Sequence, residues 1–268
     1  MYVRGCVVTG GIVAMMSLVP GCSGAGGRSS SGASSSLLAA DVKIERRELS
    51  NASRVFTPQR RGDWCWAACA EMALKYNGID DITQEQLVEK VKGKASDQTA
   101  IDTEIIVALA TEPKERTQNS AAMPQRVNLD LNAPLNAAIK AATIYSSSDS
   151  AVEDFSQGHP VLFGLKDWEG APAHIVFITA IEYRDLRRES ETAPGLKGLA
   201  GSFGRMADSL IGSYRYEIRA IEFYDPMPET GGPTRLEGAD IEKHFRFYLS
   251  RKKAMEIMQS AESTVKLR

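Results

Sequence analysis

The sequence predicts an α+β fold in which a helical half packs against an antiparallel β-sheet. Two observations carry this. As far as about residue 142, the apolar residues recur at helical spacing between helix caps and stops. From residue 159 they gather instead into short runs rich in β-branched and aromatic side chains. A third observation bounds the answer. The chain has 268 residues, 43% hydrophobic and 25% charged, which is ordinary for a globular protein of one large domain or two small ones. No internal repeat is visible.

In chain order, the first segment stands outside the fold. "MYVRGCVVTGGIVAMMSLVPGC" has one arginine near its start and an apolar run from Cys6 to Val19. That is the shape of a secretory signal peptide, and the run is short for a spanning helix. It closes on Val19-Pro20-Gly21-Cys22, which resembles the lipobox of bacterial lipoproteins, although Pro20 is unusual there. The small residue at 21 lets a signal peptidase cut before Cys22, which then carries the lipid. Residues 1–22 are therefore expected to be a lipoprotein-type signal peptide. Residues 23–40, rich in serine and glycine, are expected to be a flexible tether. The folded domain is expected over 41–268. The expected location is a bacterial cell envelope, exported and anchored to the membrane through lipid.

Within the domain, Trp64 to Tyr76 reads as a helix stopped by Asn77-Gly78. Thr83-Gln84-Glu85-Gln86 matches a capping box ahead of Leu87, Val88 and Val91. Ile101–Ala110 and Leu135–Ala142 are further helices. "HPVLFGL" (His159–Leu165), "HIVFITAIEY" (His174–Tyr183) and "YEIRAIEFYD" (Tyr216–Asp225) read as strands. Between the last two lies an insertion at about 185–213. "EKHFRF", around His244, reads as a helix.

Composition limits the chemistry. A formal charge of −2 gives no basic surface for nucleic acid. Four cysteines are too few for a disulfide scaffold, and two of them, Cys6 and Cys22, fall in the leader segment. The other two, Cys65 and Cys69, lie one turn apart on one helix with nearly parallel side chains, which suits a disulfide poorly. A free cysteine in an exported protein invites a reason. Cys69 reads as a core thiol. Cys65 sits between Trp64 and Trp66 at a loop-to-helix junction. Thiols attack carbonyl carbons as thiolates, a form that a helix N-terminus and a nearby imidazolium both favour.

Of the three histidines, His174 is favoured as the base because it opens a strand directly after the loop "KDWEGAPA". His159, before Pro160, reads as a turn residue, and His244 as part of a polar helix face. If 174–183 and 216–224 pair as an antiparallel hairpin, the start of the first lies beside the end of the second. Asp225 then stands near His174 and can orient the imidazole. Asp167 and Asp185 are the rival carboxylates, and Asp-Pro after a strand is also a common turn. A zinc site from Cys65, Cys69 and a histidine lacks both a fourth ligand and a known spacing.

These residues resemble a family. Gln59 stands six positions before Cys65, and "CWA" follows. The pattern is similar to papain-like cysteine proteases, and "WCWAACAEM" to their bacterial papain-like and bacteriocin-processing-like branch. The later motifs appear in order as "GHPVLFGL", "AHIVFITAI" and "FYDP", so the resemblance runs from Phe56 to Pro226. It implies a cleft between the helical half and the sheet. It implies Cys65 as nucleophile, His174 as base and acid, and Asp225 as orienting group. Gln59 and the Cys65 backbone N–H become the oxyanion hole. The implied substrate is a peptide or protein, with no cofactor and no metal. Ala173 departs from the glycine often found before the histidine, and the 185–213 insertion is long enough to cover the cleft. Two other classes stay open: a different thiol acyl-transfer enzyme, such as an amidase or transglutaminase-like protein, and an inactive lipid-tethered binding protein of the same fold. Nothing in the chain specifies an oligomeric state.

Overall fold

The computed structural model describes residues 43–93, 96–112, 137, 147–187, 215–227 and 232–266. The expected signal peptide, Cys22, the whole of the tether, the first two residues of the domain, all but one residue of the helix at Leu135–Ala142 and most of the 185–213 insertion lie outside the described residues.

Among the described residues the fold is α+β, with six α-helices and one antiparallel sheet of six strands. The helices come first: α1 (Cys65–Tyr76), α2 (Gln84–Lys92), α3 (Asp102–Leu109) and α4 (Ser148–Ser156). A short strand, β1 (Glu45–Glu48), precedes them. The sheet then follows as β2 (Val161–Trp168), β3 (Ala171–Asp185), β4 (Tyr216–Tyr224), β5 (Pro233–Glu237) and β6 (Phe245–Ser250). Helix α5 (Gly238–His244) joins β5 to β6, and α6 (Arg251–Lys266) closes the chain as described.

The strand order is β5-β4-β3-β2-β6, with β1 also paired to β3. β3 is long enough to serve three neighbours. Its first half pairs with β2, from Trp168↔Ala171 to Leu162↔Phe177. Its second half pairs with β1 on that side and with β4 on the other. The β2–β3 connection is the two-residue turn Glu169-Gly170, with φ of 47° and 84°. Two positive φ values are what a type I′ hairpin turn requires, and glycine accepts one of them without strain.

α1 is the central helix. Every residue from Cys65 to Leu74 is buried, so it is apolar nearly all round and covered on all sides. Ala67, Ala68, Ala70 and Ala73 keep it slim, and the large Trp66, Met72 and Leu74 are fully buried around it. It packs on β3 and β2, with α2 and α3 against its other side. One bond fixes its height on the sheet: the Cys69 thiol donates to the Ile175 carbonyl at 3.2 Å. One turn earlier on the helix is Cys65, and one residue earlier on the strand is His174.

Four boundaries that matter here differ from the sequence expectation. β3 runs from Ala171 to Asp185, so His174 is its fourth residue and does not open it. The helix starts at Cys65, and Trp64 is its cap residue, at φ −99° and ψ 17°. β2 begins at Val161 because Pro160 has no N–H for the ladder, and it runs on to Trp168. "EKHFRF" divides at His244, where α5 ends and β6 begins.

Candidate active site

The site forms where the N-terminus of α1 meets β3 and the end of β4. Cys65 is the first residue of α1 and is 7% exposed. The first backbone N–H groups of a helix lack intrahelical partners and carry its positive end. The approach to that end is held by residues 96–98. The indole N–H of Trp64 donates to the Ser96 carbonyl at 2.8 Å, and that of Trp66 to Gln98 at 3.2 Å. The Asp63 N–H donates to the Asp97 carboxylate at 3.0 Å.

His174 lies on β3 opposite Leu165, and it is buried. The last β3–β4 register pair is Phe177↔Tyr224, so the chain beyond Tyr224 continues toward His174. His174 Nε2 meets Asp225 Oδ1 at 2.9 Å. The Cys65 thiol lies close enough to the same imidazole to raise its pKa. With Nε2 committed to Asp225, Nδ1 is the ring nitrogen left to face the thiol. Asp225 is itself buried, and its Oδ1 accepts the Met227 N–H at 2.9 Å.

Burial alone would lower the His174 pKa. The hydrogen bond to Asp225 and the influence of the nearby Cys65 outweigh it, and the imidazole is pushed up to about 9. Burial would raise Asp225, but the His174 hydrogen bond and charge hold it below the ordinary carboxylate value. The two shifts agree on an imidazolium–carboxylate pair at neutral pH. Burial pushes the Cys69 thiol well up, so it stays protonated.

Gln59 is tied to the same place through its backbone. Its N–H donates to the Pro226 carbonyl at 2.7 Å, immediately after Asp225. Its side-chain Nε2 donates to the Gly62 carbonyl at 2.7 Å, which leaves one Nε2 hydrogen uncommitted by that bond. Its Oε1 is buried with no partner among the described residues.

The other candidates lie elsewhere. Asp185 is at the far end of the hairpin, paired with Arg215 at 3.1 Å. Asp167 is near the β2–β3 turn with φ 51°. The His159 N–H caps α4 through the Asp154 carbonyl at 3.0 Å. His244 Nδ1 bonds the Lys166 carbonyl at 2.9 Å, and its ring meets Trp168 edge-on at 5.2 Å.

Sequence reasoning missed Trp168. Its indole N–H is buried and turned toward Asp225, where it favours the carboxylate without meeting strict hydrogen-bond geometry. The available signal was a tryptophan placed in an otherwise polar turn, "KDWEGA". Among the described residues no group of three or more His, Cys, Asp or Glu side chains could hold a metal ion.

This geometry can be set beside known proteins. A family model described as "Peptidase_C39 like family" matches residues 49–189, more than half of the chain. The chain belongs to the Peptidase_C39 like family. The match agrees with the papain-like superfamily and with an α+β fold, and it supports a cysteine peptidase in general. Within this C39-like chain, the matched stretch contains Gln59, α1 and His174 and ends before β4 and Asp225. No curated protein and no solved structure matches the chain.

Proposed function

We propose that this protein hydrolyses peptide bonds with Cys65 as nucleophile, His174 as acid and base, and Asp225 as the group that orients His174. The observation that carries the reading is an imidazole bonded to a buried carboxylate and close to a thiol at a helix N-terminus. In the reacting form the thiol proton has passed to His174 Nδ1. The Cys65 sulfur attacks the scissile carbonyl carbon, and the carbonyl π-pair moves onto oxygen. The uncommitted N–H of the Gln59 side chain and the Cys65 backbone N–H receive that charge. His174 then gives its Nδ1 proton to the departing amine, leaving a thioester on Cys65. Neutral His174 next takes a proton from water, whose oxygen attacks the thioester. The acid product leaves, and the thiolate–imidazolium pair is restored. Asp225 keeps the Nε2–H side of the ring anchored and stabilises the imidazolium.

The location is proposed on the leader alone: export, cleavage before Cys22 and lipid attachment there, with residues 23–40 as the tether.

The test exploits the two cysteines. Cys69 is fully buried, is held protonated by that burial, and donates to Ile175. An epoxide such as E-64 should therefore label Cys65 and spare Cys69, as mapped by mass spectrometry. Cys65→Ala should abolish hydrolysis of fluorescein-labelled casein while its circular dichroism is unchanged. Equal labelling of both thiols, or full activity in Cys65→Ala, would sink the assignment.

A further inference from the structure

The loop that carries Gln59 is held from the side by a residue with no assigned role. Gln84, the first residue of α2, is fully buried. A buried glutamine is costly unless its amide is hydrogen-bonded. Here both ends of the amide are used. Oε1 accepts the Arg60 backbone N–H at 3.0 Å, and Nε2 donates to the Pro58 carbonyl at 3.0 Å. The amide thus pairs with the main chain as a β-strand neighbour would, and the residue between its two contacts is Gln59. The Gln59 N–H points the other way, to Pro226. Three consecutive residues of a loop therefore have their backbone fixed from two sides, one being α2 and the other the end of the strand that leads into Asp225. Arg60 reinforces the α2 side through an ion pair with Glu85, and it also reaches the buried Glu71 of α1 at 3.8 Å.

The geometry points to Gln84 as a positioning residue for the oxyanion hole: its amide fixes the backbone on both sides of Gln59 and so sets where the Gln59 side chain presents its free N–H. Donors in such a hole act through preorganisation, so small displacements are expensive in rate while ground-state binding is spared. The inference rests on the reading of Gln59 as an oxyanion donor.

The experiment compares unmodified protein, Gln59→Ala, Gln84→Met, Gln84→Glu and the double variant Gln59→Ala/Gln84→Met. Methionine keeps the length of the side chain and removes both hydrogen bonds. Glutamate keeps the acceptor for Arg60 and loses the donor to Pro58, and it serves if the methionine variant does not fold. Three readouts are taken on folded protein: kcat and KM on fluorescein-labelled casein, and the rate at which iodoacetamide alkylates Cys65, a reaction that forms no oxyanion. Gln84→Met should lower kcat by roughly 10-fold or more, within the range of a single lost or misplaced donor. KM and the alkylation rate should stay within about twofold, the changes expected when positioning alone is lost. The double variant should be no slower than Gln59→Ala alone, because Gln84 has nothing left to position. The proposal is overturned if kcat of Gln84→Met or Gln84→Glu is unchanged, if alkylation falls with kcat, or if the two losses multiply. Unmodified protein that neither hydrolyses casein nor alkylates selectively at Cys65 overturns the peptidase reading itself. An impaired Gln59→Ala beside an unimpaired Gln84→Met overturns only the role of Gln84.

Discussion

His174 Nε2 is committed to Asp225 at 2.9 Å, and Nδ1 is the ring nitrogen left for the nearby Cys65 thiol. The consequence is a pH profile. The reacting form needs the imidazolium as acid, and its pKa is pushed up to about 9. kcat/KM should therefore hold at neutral pH and fall as pH rises through about 9. Asp225→Asn keeps an acceptor for the Nε2–H but removes the charge. The imidazolium then loses stabilisation, so the alkaline limb should move to lower pH. Asp225→Asn should also keep more activity than Asp225→Ala, which offers no acceptor at all. Asp167→Ala and Asp185→Ala are the controls, since one lies near the β2–β3 turn and the other pairs with Arg215. The measurement is kcat/KM on labelled casein from pH 5 to 10, with circular dichroism on each variant. Full activity in Asp225→Ala, or loss in folded Asp167→Ala alone, would mean that another group orients the base.

The sheet positions the site through close contacts between strands as well as through register. A Cβ added at Gly164 on β2 would lie 2.5 Å from the ring of Phe247 on β6. Gly164→Ala must push that ring outward, and overpacking of this kind costs about 1–3 kcal/mol. Its urea midpoint should fall without a change in m-value, and an unchanged midpoint would show that the ring moves freely. Such a glycine is a readable mark of close approach within a strand. Other elements differ in how much they disclose. α1, α2 and the strands holding His174 and ending at Asp225 are legible because each carries its own signal: an alanine-rich apolar run, a capping box, β-branched alternation. β1 is not. Its sequence, "ERRE", reads as solvated loop, and it is a strand because it pairs with β3, with Arg46 adding contacts to Glu182 at 3.0 Å and Glu222 at 2.8 Å. Those partners are more than a hundred residues away, and Arg235 of β5 joins them from another strand. α4 is missed for a related reason: a nine-residue helix opening on serines gives only Ala151, Val152 and Phe155 as its apolar face. The same limit applies to the site. Cys65 announces itself at the start of its helix, and His174, read as opening a strand, is the fourth residue of β3, whereas Gln84 looks like a routine member of a capping box until the loop it holds is seen.

At the scale of the whole molecule, the question is what the leader and tether do for the domain. The described fold begins with β1 at Glu45, and that strand pairs with β3, so the domain's structure starts within a few residues of the proposed end of the tether. A flexible chain of the proposed tether's length would have a root-mean-square span of roughly 23 Å. Anchoring and catalysis should then be separable. In a bacterial host, Cys22→Ser should block maturation or release the protein from the membrane fraction, and metabolic labelling with a fatty acid should mark the unmodified protein only. A version beginning at Asp41 retains every described element. It should hydrolyse labelled casein in solution with kcat/KM within about twofold of detergent-solubilised full-length protein. Absence of label on the unmodified protein would reject lipidation at Cys22. Loss of activity on removing residues 1–40 would instead show that the leader or tether contributes to the folded domain or its site, and the division between anchor and enzyme would have to be redrawn.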